Sequence, residues 1–110
     1  MSTAAVACDL RVPVLSRVGK ALADPTRCSI LVCLLEGPHY PSDLAAHLGL
    51  TKANVSNHLT CLRGCGLVSA TAEGRRVRYE LADARLAHAL ADLYGLAAEI
   101  DLPSLGEGAA

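Results

Sequence analysis

The residues with the most distinctive chemistry are two cysteines, Cys61 and Cys65, in the stretch NHLTCLRGCGLV. They lie four positions apart, so on a helix their sulfurs project from adjacent turns of one face and can chelate one ion. Two thiolates favour soft, thiophilic metal ions over magnesium or calcium. His58 lies on the same flank and is a conceivable further ligand, although a histidine in such a position is more often packed and hydrogen-bonded.

The other cysteines differ in setting. Cys28 and Cys33 lie in a nearly continuous apolar stretch and would be about 140° apart on a helix, so we expect them to pack as small apolar residues. The odd number of five cysteines, together with the absence of a leader or a membrane-spanning apolar run, predicts a cytoplasmic chain with free thiols. A single domain of 110 residues is expected.

The elements that position these residues follow from apolar periodicity and from capping and turn signals. Aromatic residues are only 3% of the chain, so the core must be built from aliphatic side chains on helices. The sequence predicts helices over 12–23, 25–36, 41–48, 52–64 and 83–100, strands over 67–72 and 77–81, a loose arm over 1–11 and a frayed tail over 101–110.

A short helix, a glycine turn and a longer helix form the signature of a helix-turn-helix, and the strands after it read as a wing. In the longer helix Val55, Leu59 and Leu62 point inward, which leaves a small, polar face for a major groove. The arginines of the wing would contact the DNA backbone or the minor groove. The predicted DNA-binding residues are Thr51, Lys52, Ala53, Asn54, Ser56, Asn57, Thr60, Arg75, Arg76 and Arg78.

Charge is distributed in agreement with this interpretation. Residues 52–78 contain five basic residues against one acid, whereas residues 79–110 contain six acids against one arginine. The basic segment is suited to contact a polyanion such as DNA, whereas the acidic segment is expected to have a different role. In the last helix an apolar stripe predicts pairing with a second copy of the chain, through Leu86, Leu90, Leu93, Tyr94 and Ala97.

The stretches ALADPTRCSILVCLL, DLAAHLGLTKANVSNHLTCLRGCGLV and EGRRVRYEL resemble the ArsR/SmtB family of metal-responsive repressors, and the cysteine pair is similar to that of its cadmium- and lead-sensing CmtR type. The resemblance covers about residues 12–100. It implies a mainly helical winged helix-turn-helix protein with a small β-hairpin, which dimerises through its terminal helices, represses transcription from operator DNA and dissociates when a metal ion binds.

The resemblance also bears on the remaining ligands. The CmtR type implies a third cysteine from the C-terminal tail, and this tail has none, so Cys8 of the same or the partner subunit becomes the candidate. Other sites of the family do not match, because residues 40–44 contain no cysteine and because Arg85 and Leu96 occupy the histidine positions of the zinc-type site. Cadmium or lead is the expected inducer, with mercury, arsenite and zinc left open.

Three alternatives remain beside a metal-sensing repressor. Cys61 could act as a redox or reactive-sulfur switch in the same DNA-binding fold. It could serve as the nucleophile of a thiol enzyme with His58 as base, but no orienting acid or oxyanion loop is evident, so we expect no enzymatic activity. The chain could also be a metal buffer or interaction module without DNA binding.

Overall fold

The computed structural model describes the backbone of residues 3–109 and the side chains of residues 10–100. The fold is mainly helical with one antiparallel hairpin, as predicted. Along the chain the elements are α1 (Thr3–Ala23), α2 (Pro25–Leu35), α3 (Pro41–Leu48), α4 (Lys52–Gly64), β1 (Val68–Glu73), β2 (Arg76–Leu81) and α5 (Ala84–Ala109). No helix in the described part of the chain is both long and apolar enough to cross a membrane.

The predicted starts of α2 and α4 are confirmed by their capping hydrogen bonds. The Asp24 carboxylate accepts the backbone N–H groups of Thr26 at 2.9 Å and Arg27 at 3.0 Å at the start of α2. Thr51 Oγ1 accepts the N–H of Asn54 at 3.1 Å at the start of α4. Each bond satisfies a donor that the first turn of a helix leaves without a partner.

The turn between α3 and α4 depends on Gly49. This residue has φ 67°, in the left-handed region that favours glycine, and ends α3. The N–H of Leu50 then donates to the carbonyl oxygen of Ala45 at 2.9 Å, which closes the turn. The angle between the two helices of the helix-turn-helix is set within these few residues.

The core orients α4 through three of its residues. Val55, Leu59 and Leu62 are completely buried, as the helical spacing predicted. They join a cluster that also includes Ala21, Ile30, Leu31, Leu34, Leu44, Ala45, Leu67 and Val68. Burial of apolar side chains contributes about 1.5 to 3 kcal/mol for each, so rotation of α4 about its axis would be costly. Its opposite face is therefore held toward solvent.

The terminal helices have different bounds from those expected. α1 begins at Thr3 rather than near Val12, and α5 continues to Ala109 rather than ending near Ile100. Apolar periodicity reports the part of a helix that packs, whereas an existing helix extends at low cost because its nucleus is already formed. The backbone in both regions is helical, and the side chains of residues 1–9 and 101–110 lie outside the described part.

Candidate DNA interface and metal site

The outward face of α4 is small and polar. Lys52, Ala53, Asn54, Asn57 and Thr60 are exposed, as is Thr51 at the cap, and Ser56 is half-buried. Thr60 Oγ1 donates to the Ser56 carbonyl oxygen at 2.9 Å, so its proton is used within the helix. The amides of Asn54 and Asn57 and the ammonium of Lys52 are then the groups best suited to base edges and phosphates.

The hairpin brings Arg75 to its tip. Glu73 pairs with Arg76, so the loop has only the two residues Gly74 and Arg75. Gly74 has φ 61° and Arg75 has a negative φ, which is the requirement of a type II′ turn. Arg75 is exposed, and among the described residues it has no ion pair. It is the arginine of the wing most available to a phosphate.

The other two wing arginines interact within the protein. The Arg76 guanidinium carbon lies 3.5 Å from the centroid of the Tyr40 ring, and its Nη2 lies 3.6 Å from Asp43 Oδ2. Arg78 Nη1 lies 3.8 Å from Glu73 Oε2 on the other strand of the hairpin. Two backbone hydrogen bonds between His39 and Tyr79, at 2.9 and 2.8 Å, join β2 to the residues before α3. The contacts of Arg76 and Tyr79 thus fasten the hairpin to the start of α3.

Sequence reasoning did not identify Tyr40 as a residue of the site. Its hydroxyl donates to Glu73 Oε1 at 2.6 Å, and this hydrogen bond is the main reason that the pKa of Tyr40 is raised. The residue precedes Pro41 at the start of α3 and is half-buried. A tyrosine beside an X-Pro helix start carries no signal of a contact with a hairpin 33 residues later, so only the folded arrangement reveals it.

Cys61 and Cys65 lie at the C-terminal end of α4. Cys61 is exposed, and Cys65 is half-buried against the core as the C-cap residue. The N–H of Cys65 donates to the Cys61 carbonyl oxygen at 3.0 Å, so helical geometry persists between them and their side chains leave adjacent turns. The C-terminus of a helix carries partial negative charge, which favours a cation at this end.

Arg27 contacts the Cys61 sulfur, an interaction that sequence reasoning missed. Its Nη1 donates to Cys61 Sγ at 3.4 Å, and its Nη2 donates to the Lys20 carbonyl oxygen at 2.9 Å. One signal was available, because Arg27 lies in the first turn of α2, where the helix dipole disfavours a cation. A basic residue at such a position suggests a partner elsewhere.

Cys61 and Cys65 have no third metal ligand beside them among the residues whose side chains are described. No three histidine, cysteine, aspartate or glutamate side chains are grouped there. His58 is half-buried, and its charge acts on Asp24, whose pKa is lowered chiefly by the hydrogen bond from the Arg27 N–H. The side chain of Cys8, the predicted third ligand, lies outside the described residues.

The cysteines of α2 have other surroundings. Cys33 packs against the core, and burial raises the pKa of its thiol, which disfavours the reactive thiolate. Cys28 is half-buried and lines a groove between α2 and α5. Neither belongs to the cysteine pair of α4, in agreement with the expectation that they act as small apolar residues.

The groove has a volume of about 770 Å³ and an almost entirely apolar lining. One part of the predicted apolar stripe of α5 packs against the core, and the other part is exposed at this groove. Leu86 and Leu90 are half-buried against the protein's own core, whereas Leu93 and Tyr94 are 52% and 66% exposed at the groove. Sequence reasoning missed the opposite wall, where Val32 on α2 is 56% exposed. An open apolar surface of this kind marks an interaction site.

Comparison with known proteins agrees with this arrangement. Residues 24–70 match the family model described as bacterial regulatory protein, arsR family. The chain is 63% identical to the HTH-type transcriptional regulator CmtR of Mycobacterium tuberculosis over 105 residues, which are 94% of this chain and 89% of that protein.

Two solved structures are also similar. The NMR structure of the cadmium metal-sensor CMTR from Mycobacterium tuberculosis has a TM-score of 0.62 and 72% identity, over 71% of this chain and 81% of that one. A homodimeric winged helix-turn-helix DNA-binding domain, Mb0332 from Mycobacterium bovis, has a TM-score of 0.79 and 30% identity, over 92% of both chains. With its polar-faced α4, its hairpin and its cysteine pair, the chain belongs to the arsR family of bacterial regulatory proteins, as its sequence motifs predicted.

Proposed function

We propose that this protein is a transcriptional repressor that binds operator DNA as a homodimer and releases it when cadmium or lead binds Cys61 and Cys65. The observation that carries the proposal is that both cysteines lie at one end of the helix whose polar face is turned toward solvent. Metal binding and DNA reading thereby share one rigid element. The similarity to a protein described as a cadmium metal-sensor supports the choice of ion.

A homodimer is supported by the surface that a single copy exposes. Leu93 and Tyr94 of α5 and Val32 of α2 are exposed where they line the open groove. Apolar side chains of α1, including Leu10 and Leu15 at 67% and 68% exposure, add to the open groove. A second copy would cover both surfaces and set two α4 helices at a fixed separation.

Cys8 remains our candidate for the third ligand, and the helical α1 bears on which subunit supplies it. Cys8 precedes Lys20 by twelve residues, which is about 18 Å along a helix. Lys20 is joined to the Cys61 sulfur only through the guanidinium of Arg27. Twelve helical residues separate the backbone of Cys8 from this link, which favours Cys61 of the partner subunit over that of its own. We assign the third thiolate to Cys8 of the partner subunit.

The function is tested by fluorescence anisotropy on an inverted-repeat operator with cadmium, lead, mercury, arsenite or zinc. We expect the metal-free protein to bind and saturating cadmium or lead to weaken binding roughly 5- to 150-fold. Cys61→Ser and Cys65→Ser should bind DNA but lose the response, while the control Cys33→Ala keeps it. Operator binding that stays equally tight with saturating cadmium and lead would refute the proposal.

The source of the third ligand is tested by mixing subunits. The mixed dimer has one Cys8→Ser subunit, which keeps Cys61 and Cys65, and one Cys61→Ser/Cys65→Ser subunit, which keeps Cys8. If the site is shared between subunits, this dimer has one complete three-thiolate site. If the site lies within one subunit, the dimer has none. We expect the mixed dimer to regain the sulfur-to-cadmium absorption of one three-thiolate site. Absorption per bound cadmium ion no greater than that of the Cys8→Ser homodimer would exclude Cys8 of the partner subunit.

A redox switch is a second candidate, favoured by the exposure of Cys61 beside a guanidinium. An accessible sulfur near a cation is the environment in which cysteines react with oxidants. Treatment with hydrogen peroxide in the presence of a chelator separates the two functions. Loss of operator binding under these conditions, reversed by dithiothreitol and absent in Cys61→Ser, would favour the redox switch.

A further inference from the structure

Arg27 joins three helices at the proposed metal site. Its backbone belongs to the first turn of α2, its Nη1 donates to Cys61 Sγ on α4 at 3.4 Å, and its Nη2 donates to the Lys20 carbonyl oxygen near the end of α1 at 2.9 Å. The planar guanidinium holds its donors in a fixed fork, so the two contacts fix the position of α4 relative to α1.

This conformation has a cost that a surface arginine can avoid. The Nε–H of Arg27 is buried and has no acceptor among the described residues. A long side chain with no other constraint would turn this donor into water, because a buried donor without a partner is unfavourable. The two contacts made by the Nη atoms therefore hold the side chain in place.

We propose that Arg27 is the positioning residue that transmits metal binding at Cys61 from the recognition helix to α1. The proposal rests on the proposed function, in which Cys61 is a ligand. When Cys61 and Cys65 share one ion, the Cys61 thiol gives up its proton and its sulfur turns toward that ion. This movement takes the sulfur out of line with Arg27 Nη1, so the hydrogen bond that links α4 to α1 loosens when metal binds.

The position of α1 matters because its exposed apolar residues are part of the surface that we assign to the dimer. A shift of α1 relative to α4 changes the separation of the two α4 helices in a dimer. That separation must match half-sites about one DNA turn apart. Loss of the Arg27 link is therefore how an ion at the end of α4 would lower operator affinity without touching the DNA.

The test uses two substitutions of Arg27. Arg27→Gln removes the charge, and Arg27→Lys keeps the charge but replaces the fork by a single ammonium that cannot occupy both contacts. For each protein the operator affinity is measured without metal and with saturating cadmium, and the sulfur-to-cadmium absorption reports occupancy. We expect both variants to bind cadmium and DNA, while the effect of cadmium on DNA affinity falls from the wild-type value to below about threefold.

The matched control is Arg63→Gln, which removes a charge two residues from Cys61 at an exposed position. It should retain the wild-type effect of cadmium, even if its DNA affinity changes. Alkylation of Cys61 in the metal-free protein gives a second readout, and we expect iodoacetamide to react at a different rate in both Arg27 variants but not in Arg63→Gln.

The possible results are separable. If cadmium has no effect on the wild type, the proposed function fails. If the wild type responds and either Arg27 variant responds equally, the transmitting role of Arg27 is refuted while the proposed function stands. Circular dichroism tells whether a variant that binds DNA poorly without metal is unfolded, in which case the other Arg27 variant decides the matter. A folded variant whose metal-free affinity equals that of the cadmium-bound wild type is the result expected from loss of the link.

Discussion

Tyr40 and Glu73 are joined across 33 residues by a hydrogen bond of 2.6 Å from the tyrosine hydroxyl to Oε1 of the carboxylate. Glu73 ends β1, and Tyr40 lies directly before α3, so this bond connects the wing to the helix-turn-helix. Glu73 is the one acidic residue of the basic segment 52–78, so this bond also engages the only carboxylate of that segment. The wing is thereby held in a defined position relative to the recognition helix.

Tyr40→Phe should weaken operator binding modestly, by less than about tenfold, because it removes one hydrogen bond but keeps the ring on which Arg76 lies. Tyr40→Ala should weaken it further, since the ring contact is lost as well. Both are measured by anisotropy in the metal-free protein. Equal affinity of all three proteins would mean that the wing needs no such anchor.

Arg75→Ala should lower operator affinity and reduce the slope of log K against log salt by about one for each subunit, because each lost phosphate contact releases about one counterion fewer. Arg85→Ala is the control, since Arg85 is exposed but pairs with Asp83 at 2.9 Å at the start of α5. An unchanged salt slope in Arg75→Ala would remove the wing tip from the DNA interface.

Gly49→Ala should destabilise the protein by about 1 to 2 kcal/mol, because a Cβ is unfavourable in the left-handed conformation at φ 67°. Gly64→Ala is a matched control with the opposite or no effect, since Gly64 ends α4 without a positive φ and has open space for a Cβ. Urea unfolding at one protein concentration measures both. A neutral Gly49→Ala would show that the turn tolerates another conformation.

Tyr94→Glu should raise the dissociation constant of the dimer by at least about tenfold, because it places a charge in an apolar groove that a second copy would cover. The control is His88→Glu, at an exposed position of α5 that does not line the groove. Sedimentation equilibrium gives both constants. Dimerisation of Tyr94→Glu at the wild-type concentration would place the interface elsewhere.

Stability should fall at low pH through Asp83. The side-chain hydrogen bond from Arg85, followed by the bond from the Arg85 N–H, lowers the pKa of Asp83 from 3.8 to about 2. A pKa lowered by folding stabilises the native state at pH values above the unfolded pKa, and this contribution is lost as pH falls from about 4 to about 2. Asp83→Asn should flatten the decline of the melting temperature in this range.

The matched control for Asp83→Asn is Asp92→Asn, on the exposed surface of the same helix, which receives no hydrogen bond from an arginine among the residues whose side chains are described. Its melting temperature should follow the wild-type pH dependence. Asp24→Asn should also flatten the decline, because its hydrogen bonds from the Arg27 and Thr26 N–H groups lower the pKa of Asp24 in the folded protein. Parallel curves for all four proteins would contradict this account of acid unfolding.

Local sequence patterns were sufficient to predict the order of the elements, the inward face of α4 and the caps at Asp24 and Thr51. These features are local, because apolar spacing, a capping side chain and a glycine with positive φ act within a few residues of the chain. The family and the pairing of Cys61 with Cys65 on one helix could be read from the same local patterns.

Which of these residues act together depends on the packing of the whole fold. It directs Arg27 to Cys61 and Lys20, holds Arg76 and Arg78 within the protein while Arg75 projects, and divides the stripe of α5 between the core and an open groove. Apart from the pair of Arg78 with Glu73, which lies within the hairpin, these relationships join residues far apart in the chain. They arise when the core packs the helices and the hairpin against one another, and no local pattern encodes them.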